Sequence, residues 1–538
     1  MSDINENTGD VMNEHNETPI PQAYYQQYPA QYPVPAKTPP FAAGRKDGVF
    51  ALFAFILGYL FCRWVLVSIQ GWGTAVFTTV YLISVLVYMI ATGVKPRRES
   101  WFWFAVTLLA GWSFALWNDI GLLPLRNMFL FCAAVYWVLS ASDTLVSGRT
   151  GNYLLLDGLN AVFVIPFRNF VNQYRALGAL RSDRNKDKKK AFSVILGIVL
   201  ALLVLLIVIP QLLRADSGGF RNLLSGFLDL FKFDWSGILE FLLYVFLAVP
   251  TAAYLFGLVS GSAAKRNADT FNAEKAGKTA ASMRVLAPAT VNTVLGVVCA
   301  VYVLFIACQI PYFFSAFTGA RPDGWLSYSE YARQGFFELF GIAAINLALL
   351  TAANIFSRKP RDESLVLKVF NSIVSLITLL LIATAISKMA LYIDAFGLTI
   401  LRILPCIFMI LLAVIYIAVI VLQKVRFSVV RVALLTGAVL FTALCLVNAD
   451  AIVVRYNADR YLNGTLSSFD ADILNRSGPA GVLPALEVYE TTSDTGLKRQ
   501  IKSYLSDQQD RLNDIRGTFR HTAEDELAWQ KLKDMDLG

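Results

Sequence analysis

The sequence predicts an all-α protein, a polytopic bundle of about eleven transmembrane helices, on the strength of three observations. Hydrophobic residues make up 56% of the 538 and charged residues only 16%, where a soluble domain carries about 25%. Uncharged apolar runs long enough to cross a bilayer recur along the chain. Lysine and arginine gather in every second loop between them. A disordered N-terminal tail and a small helical C-terminal region flank the bundle.

The tail covers residues 1–44 and includes TPIPQAYYQQYPAQYPVPAKTPP. Such a segment buries too little apolar surface to offset its ordering entropy, so it is expected to be disordered with polyproline character. It lacks the basic, apolar and small-residue order of a cleavable signal. Its Pro-Tyr repeats are solvated chain or a docking segment.

The multi-span domain covers 45–447. Spans are expected near 48–69, 72–93, 101–118, 123–141, 191–213, 236–259, 285–314, 334–356, 365–388, 401–422 and 428–447. The seventh is long enough to tilt or to bend at Pro311. Alternate loops hold about 26 basic residues on one side and about 8 on the other, which under the positive-inside rule places the N-terminus in the cytoplasm. The same rule accounts for the net charge of +8. No basic surface interleaved with aromatic residues stands outside the spans, so nucleic acid is not an expected partner.

Two stretches read as amphipathic segments lying at the interface: NYLLLDGLNAVFVIPFRNFVNQYRALGAL on the cytoplasmic side and FRNLLSGFLDLFKFDW on the outer side. The run RSDRNKDKKK is expected at anionic lipid headgroups, each basic residue contributing roughly 1 kcal/mol of attraction. Residues 448–538 turn polar. SSFDADIL offers Ser and Asp as helix caps, SGPAGVLPALEVYE restarts a helix, and Leu497 to Leu537 reads as one or two amphipathic helices. An odd span count puts this region outside the cell. No internal repeat is visible, so the usual pointer to a transporter site is missing.

Catalytic and metal chemistry finds little support. His15 and His521 lie outside the spans, and no His-Glu-x-x-His element exists. The six cysteines all fall in apolar runs with no paired spacing and read as small buried hydrophobes. Gly277, Lys278 and Thr279 mimic a phosphate loop, but Asn272 stands where its first glycine belongs and no strand precedes it. No cofactor is implied. Asn292, Asn346 and Asn371 within spans are expected to hydrogen-bond between helices. Arg63, Glu240 and Glu338 are the charges noted within spans, and Arg63 is placed to snorkel outward.

The densest polar constellation is expected on the outer face. SYSEYARQGFFELF brings Glu330, Tyr331, Arg333 and Glu338 to the entry of the eighth span, and SKMALYIDAFGLTILR carries Lys388, Tyr392, Asp394 and Arg402 between the ninth and tenth. Glu330 and Arg333 share a helix face. If the two segments are neighbours, these side chains line one polar pocket, or else an ion-pair network that anchors helix ends.

YSEYARQGFFELF, LYIDAFGLTILR and NADAIVVRYNADRYL, in that order, resemble signature stretches of a bacterial family of multi-span membrane proteins catalogued only as a domain of unknown function. Where the family commonly has Asn-Pro-Asp, this chain has Asn448, Ala449 and Asp450. The likeness runs from the fifth span to Glu490. It implies a bacterial cytoplasmic membrane and brings no known activity, substrate or cofactor.

The leading expectation is a non-catalytic sensor, scaffold or accessory subunit that meets anionic lipids at its basic loops and a membrane protein partner outside. A transporter or flippase for a lipid or amphiphile is the alternative. A membrane-embedded transferase using Glu338 or Asp394 comes third.

Overall fold

In the computed structural model, residues 41–67, 70–180, 235–266, 270–271, 273–312 and 328–535 are described, with positions 208 and 212 besides. The expected tail up to residue 40, most of the span at 191–213 and most of FRNLLSGFLDLFKFDW lie outside the described residues.

Each long apolar run that is described forms a helix. The bundle consists of α1 (Arg45–Leu60), continued by a π-helical stretch Phe61–Val67, α2 (Trp72–Ala91), α3 (Arg98–Leu116) and α4 (Leu123–Ser142). Short helices α5 (Leu154–Leu159), α6 (Ile165–Arg168) and α7 (Asn172–Ala179) follow, with a second π stretch, Asn160–Val164, between the first two. Then come α8 (Trp235–Ala263), α9 (Ala273–Ser282), α10 (Pro288–Gln309), α11 (Tyr328–Phe356), α12 (Leu365–Phe396), α13 (Ile400–Leu422) and α14 (Val429–Leu446). Five further helices close the chain: α15 (Ala449–Leu462), α16 (Asp472–Ser477), α17 (Val482–Thr491), α18 (Thr495–Ile515) and α19 (Ala523–Leu532).

Among the described residues, nine helices are long and apolar enough to cross a membrane. Their flanks carry side chains that only hydrocarbon solvates well: Ile90, Leu304, Ile345 and Leu401 are 61%, 67%, 65% and 74% exposed. The expected third span, α3, is not among the nine. Its 19 residues begin with Arg98 and Glu99 and are rich in tryptophan and phenylalanine, the residues of a membrane interface. It nevertheless runs between the two ends of the bundle. The bend expected at Pro311 is instead the end of α10, where Ile310–Tyr312 tightens into one 3-10 turn.

Loop contacts define the two ends. At one end Arg97 and Lys265 pair with Asp143 at 2.9 and 3.3 Å, Arg431 pairs with Glu99 at 2.6 Å, and Arg426 pairs with Asp362 at 3.2 Å. At the other end the elbows 70–71, 117–122 and 397–399 meet the C-terminal helices, as when the Leu398 amide donates to Asn457 Oδ1 at 2.9 Å. Several loops that alternation assigns to one side thus touch each other.

The stretch expected to lie flat at the interface packs into the bundle. Leu154–Arg168 and Asn172–Ala179 form a helix pair bent by 50°. Tyr254 Oη donates to Val162 O at 3.1 Å, and Gln173 Nε2 donates to Ala51 O at 3.1 Å. The pair starts beside the Asp143 loop and ends with Leu180 against Gly48, near the start of α1. Both described ends of the pair lie at the basic end, the arrangement of a re-entrant pair. Asp157, Pro166, Arg168 and Arg175 made it look interfacial, yet Asp157 and Pro166 are buried, as are Asn160, Asn169 and Gln173.

Close helix approach here depends on glycine. A Cβ at Gly58 would lie 2.7 Å from Ala248 O and 3.0 Å from Ala252 N, both backbone atoms of α8. Gly58→Val is therefore expected to force α1 and α8 apart at a cost of about 1–3 kcal/mol. Thermal unfolding of the purified protein checks this, and an unchanged midpoint would refute it.

Other expectations resolve simply. Asn346 accepts from Tyr302 Oη and donates to Thr378 Oγ1 at 2.9 Å, while Asn371 and Asn354 exchange amide bonds at 3.1 and 3.2 Å. These are the interhelical bonds predicted for two of the three asparagines. Gly277, Lys278 and Thr279 sit inside α9, where Lys278 pairs with Glu274 at 2.7 Å, so no phosphate-cradling loop exists there. Not all cysteines are buried: Cys132 and Cys308 are exposed on the flanks of α4 and α10. The cap expected in SSFDADIL is partial. Asp470 Oδ1 accepts from the Asp472 amide at 3.0 Å, but Ala471 occupies the cap position of α16.

The last five helices enclose an apolar core of their own. Leu497, Ile501, Tyr504, Leu505 and Leu512 form one stripe of α18 and pack on Val454, Leu474 and Val488. The polar face of α18 stays in solvent, which is why this segment reads as amphipathic. Asp494 caps it by accepting from Gly496 and Leu497, at 2.7 and 3.2 Å.

Candidate functional site

The eight residues expected at the outer face fall into three local arrangements at the end of the bundle that carries the C-terminal helices. Lys388, only 7% exposed, holds its ammonium 4.2 Å above the ring of buried Tyr331. Gly335 makes the room, since a Cβ there would lie 2.6 Å from Lys388 Nζ. Glu338 is near enough to act on that ammonium and accepts from Gln334 at 2.8 Å. Glu330 and Arg333 are exposed on the same helix. Farther along, the Arg402 guanidinium lies 4.3 Å over Tyr392 and donates to Phe396 O at 3.0 Å and to Gly397 O, closing the C-terminus of α12. Asp394 pairs with Arg460 at 3.3 Å, and Arg460 also donates to Asp394 O at 2.7 Å.

A more deeply buried cluster lies where the C-terminal helices meet the elbow between α3 and α4. Asp119 on the elbow and Arg126 on the first turn of α4 are each 1% exposed and pair at 3.2 Å. Arg126 also donates to Ser113 Oγ at 3.1 Å and Trp117 O at 3.4 Å, and stacks 4.4 Å over Phe114. Asp450 and Glu524, 4% and 6% exposed, approach from the opposite side. Each occupies the first turn of its helix, α15 and α19. Glu524 accepts from the Asn118 amide at 3.1 Å and from the Asn448 side chain. Asn448 caps α15 by accepting from Ala451 at 2.9 Å, so one asparagine serves helix and cluster together.

Three carboxyls thus share one guanidinium. Fully ionised, the group would carry two uncompensated negative charges away from water, a costly state. Helix N-termini favour carboxylates, but burial prevails. Burial raises Asp119 to about 6, against the pull of Arg126 and of a hydrogen bond from the Asp450 backbone. Burial, with Asp119 and Glu524 as like charges, raises Asp450 to about 7. Burial raises Glu524 to about 7 despite its bonds to Asn448 and Asn118. Asp119 Oδ1 and Asp450 Oδ2 are buried without a hydrogen-bond donor among the described residues, so a proton on either carboxyl removes charge that the surroundings do not satisfy. Nearby Asp525 is different. It pairs with Arg511 at 2.8 Å and forms a reciprocal cap with Thr522.

No group of three His, Cys, Asp or Glu among the described residues is placed to hold a metal ion. Sequence reading missed the carboxylate cluster because Asn118 and Asp119 look like ordinary elbow residues and Arg126, inside the span expected at 123–141, drew no notice among its apolar neighbours. The available signal was an arginine one turn inside an apolar run, just after Trp-Asn-Asp.

Long apolar helices that expose apolar flanks, with few charges inside them, define an integral membrane protein. More particularly, the chain belongs to the family described as domain of unknown function DUF4153, whose model matches residues 104–488. That stretch contains Asp119, Arg126 and Asp450 but not Glu524. No curated protein and no solved structure matches the chain.

Proposed function

We propose that the protein is a non-catalytic sensor or accessory subunit of the cytoplasmic membrane, in which the C-terminal helical region stands outside and is coupled to the spans through the carboxylate cluster. The observation that carries this reading is the burial of Asp119, Arg126, Asp450 and Glu524, at 1–6% exposure, across the joint between the two parts. Groups so enclosed act on each other rather than on a substrate. They make the position of the C-terminal region depend on charge. The basic loops at the far end face the cytoplasm and its anionic lipids, and a membrane protein partner meets the C-terminal helices.

Crosslinking in whole cells followed by pull-down tests the partner. Partners captured by the full chain should be lost when the surface of α18 or α17 is altered, and unchanged capture would contradict the reading. Orientation has its own test. In a cysteine-free background, an impermeant maleimide should label Ser467→Cys in intact cells and leave Lys275→Cys unlabelled until the cells are opened. The reverse pattern would invert the topology.

A further inference from the structure

Between α1, α2, α4 and α8 lies a cavity of about 690 Å³, within the range of about 300–1,000 Å³ typical of small-ligand sites. Three departures from regular helix bound it. Phe61 and Val65 belong to the π-helical stretch that ends α1, Pro250 stands within α8, where it can donate no backbone hydrogen bond, and Phe167 and Phe170 lie at the bend of the re-entrant pair. π stretches and interrupted helices are where membrane bundles open space for ligands.

Its walls are almost wholly apolar, and their few polar groups donate to backbone carbonyls. Of the polar lining residues, Thr78 donates to Thr74 O and Thr251 to Leu247 O, both at 2.8 Å. Asn127 donates to Leu123 O at 3.0 Å, and the two tyrosines, Tyr81 and Tyr254, donate to Ala134 O and Val162 O at 3.4 and 3.1 Å. Water would find few partners here, so an apolar occupant is favoured. Leu66, Phe131 and Phe167 form the rim and are 50%, 40% and 58% exposed. The first two sit on spanning helices, so the mouth opens sideways toward hydrocarbon rather than toward water.

We propose that this cavity binds one acyl chain of a membrane lipid, which enters between Leu66 and Phe131 and ends against the re-entrant bend. The chain is held by packing alone, and its headgroup stays in the bilayer outside. Occupancy is independent of the charge state of the joint, which lies on other residues.

The test uses the full protein in vesicles of phosphatidylethanolamine and phosphatidylglycerol, with a trace of phosphatidylglycerol carrying a diazirine on one acyl chain. Irradiation should label peptides containing Phe131 to Val135 or Phe167 to Phe170. Ala134→Trp, which fills the cavity, and Leu66→Trp, which obstructs its mouth without altering the core, should each reduce that labelling about tenfold. Val87→Trp, on the exposed flank of α2, should leave it unchanged. Labelling spread evenly over exposed flanks, or insensitive to both variants, would overturn the proposal. So would crosslinks from a cysteine at Phe131 to residues 191–213, which would make the occupant the chain's own apolar run.

Discussion

Arg126→Met is expected to release the C-terminal helices from the bundle. The methionine fills similar space, but Asp119, Asp450 and Glu524 then face one another with no cation. Breaking a buried pair from one side costs about 3–5 kcal/mol, because the remaining charge stays enclosed. The purified variant should lose that much stability at pH 8. Protease should also cut the exposed turn at Gly464 and Thr465, between α15 and α16, far faster than in the parent. Protonated carboxyls need no compensating cation, so the defect should shrink at pH 5. Adding Asp119→Asn should recover part of the loss. A variant as stable as the parent at pH 8 would show that the guanidinium is not what balances the cluster.

The second large effect is on pH dependence, with the following sign. In the unfolded chain the three carboxyls titrate at 3.8, 3.8 and 4.5, while in the folded protein they rise to about 6, 7 and 7. Between those values the folded state holds more protons than the unfolded state, so stability falls as pH rises. The contribution is complete below pH 3.8 and is lost as pH passes through about 6 to 7. Each group adds a slope of up to about 1.4 kcal/mol per pH unit while it titrates. Arg126 and the Arg511–Asp525 pair also face the cluster. Hydrogen exchange of the α19 amides, followed from pH 5 to pH 8 and corrected for intrinsic rates, should show opening that becomes easier with rising pH. Asp450→Asn with Glu524→Gln should flatten the profile and strengthen the joint at pH 8. A parent profile that rises with pH, or a double variant that follows the parent, would refute the linkage.

The bundle was legible because hydrophobicity is a local property. Runs such as 401–422 declare a span whatever they later pack against, and the charge of the loops marks which ends belong together. The re-entrant pair was misplaced for the opposite reason. Asn160, Asn169 and Gln173 are polar by type, and only their burial between α1 and α8 shows that they serve the interior. The carboxylate cluster was least legible, because 406 residues separate Asn118 from its partner Glu524. Each member looks ordinary beside its chain neighbours, and periodicity carries no information about which elbow a distant helix will meet. NADAIVVRYNADRYL drew attention to Asp450 as part of a motif, but not to the residue it faces.

The first hairpin is finished by the last part of the chain. Trp72 and Gly73 at the elbow between α1 and α2 donate their amides to His521 O and Phe519 O, at 3.2 and 3.0 Å. Gly71 sits there at φ 95, where a side chain would collide with the Phe519 and Arg520 backbone. Synthesis runs from the N-terminus at about 5–20 residues per second. The opening pair of helices must therefore wait, unlatched, until the chain through His521 has emerged. A chain arrested shortly before Phe519 would lack both bonds and leave the first elbow open to quality-control proteases.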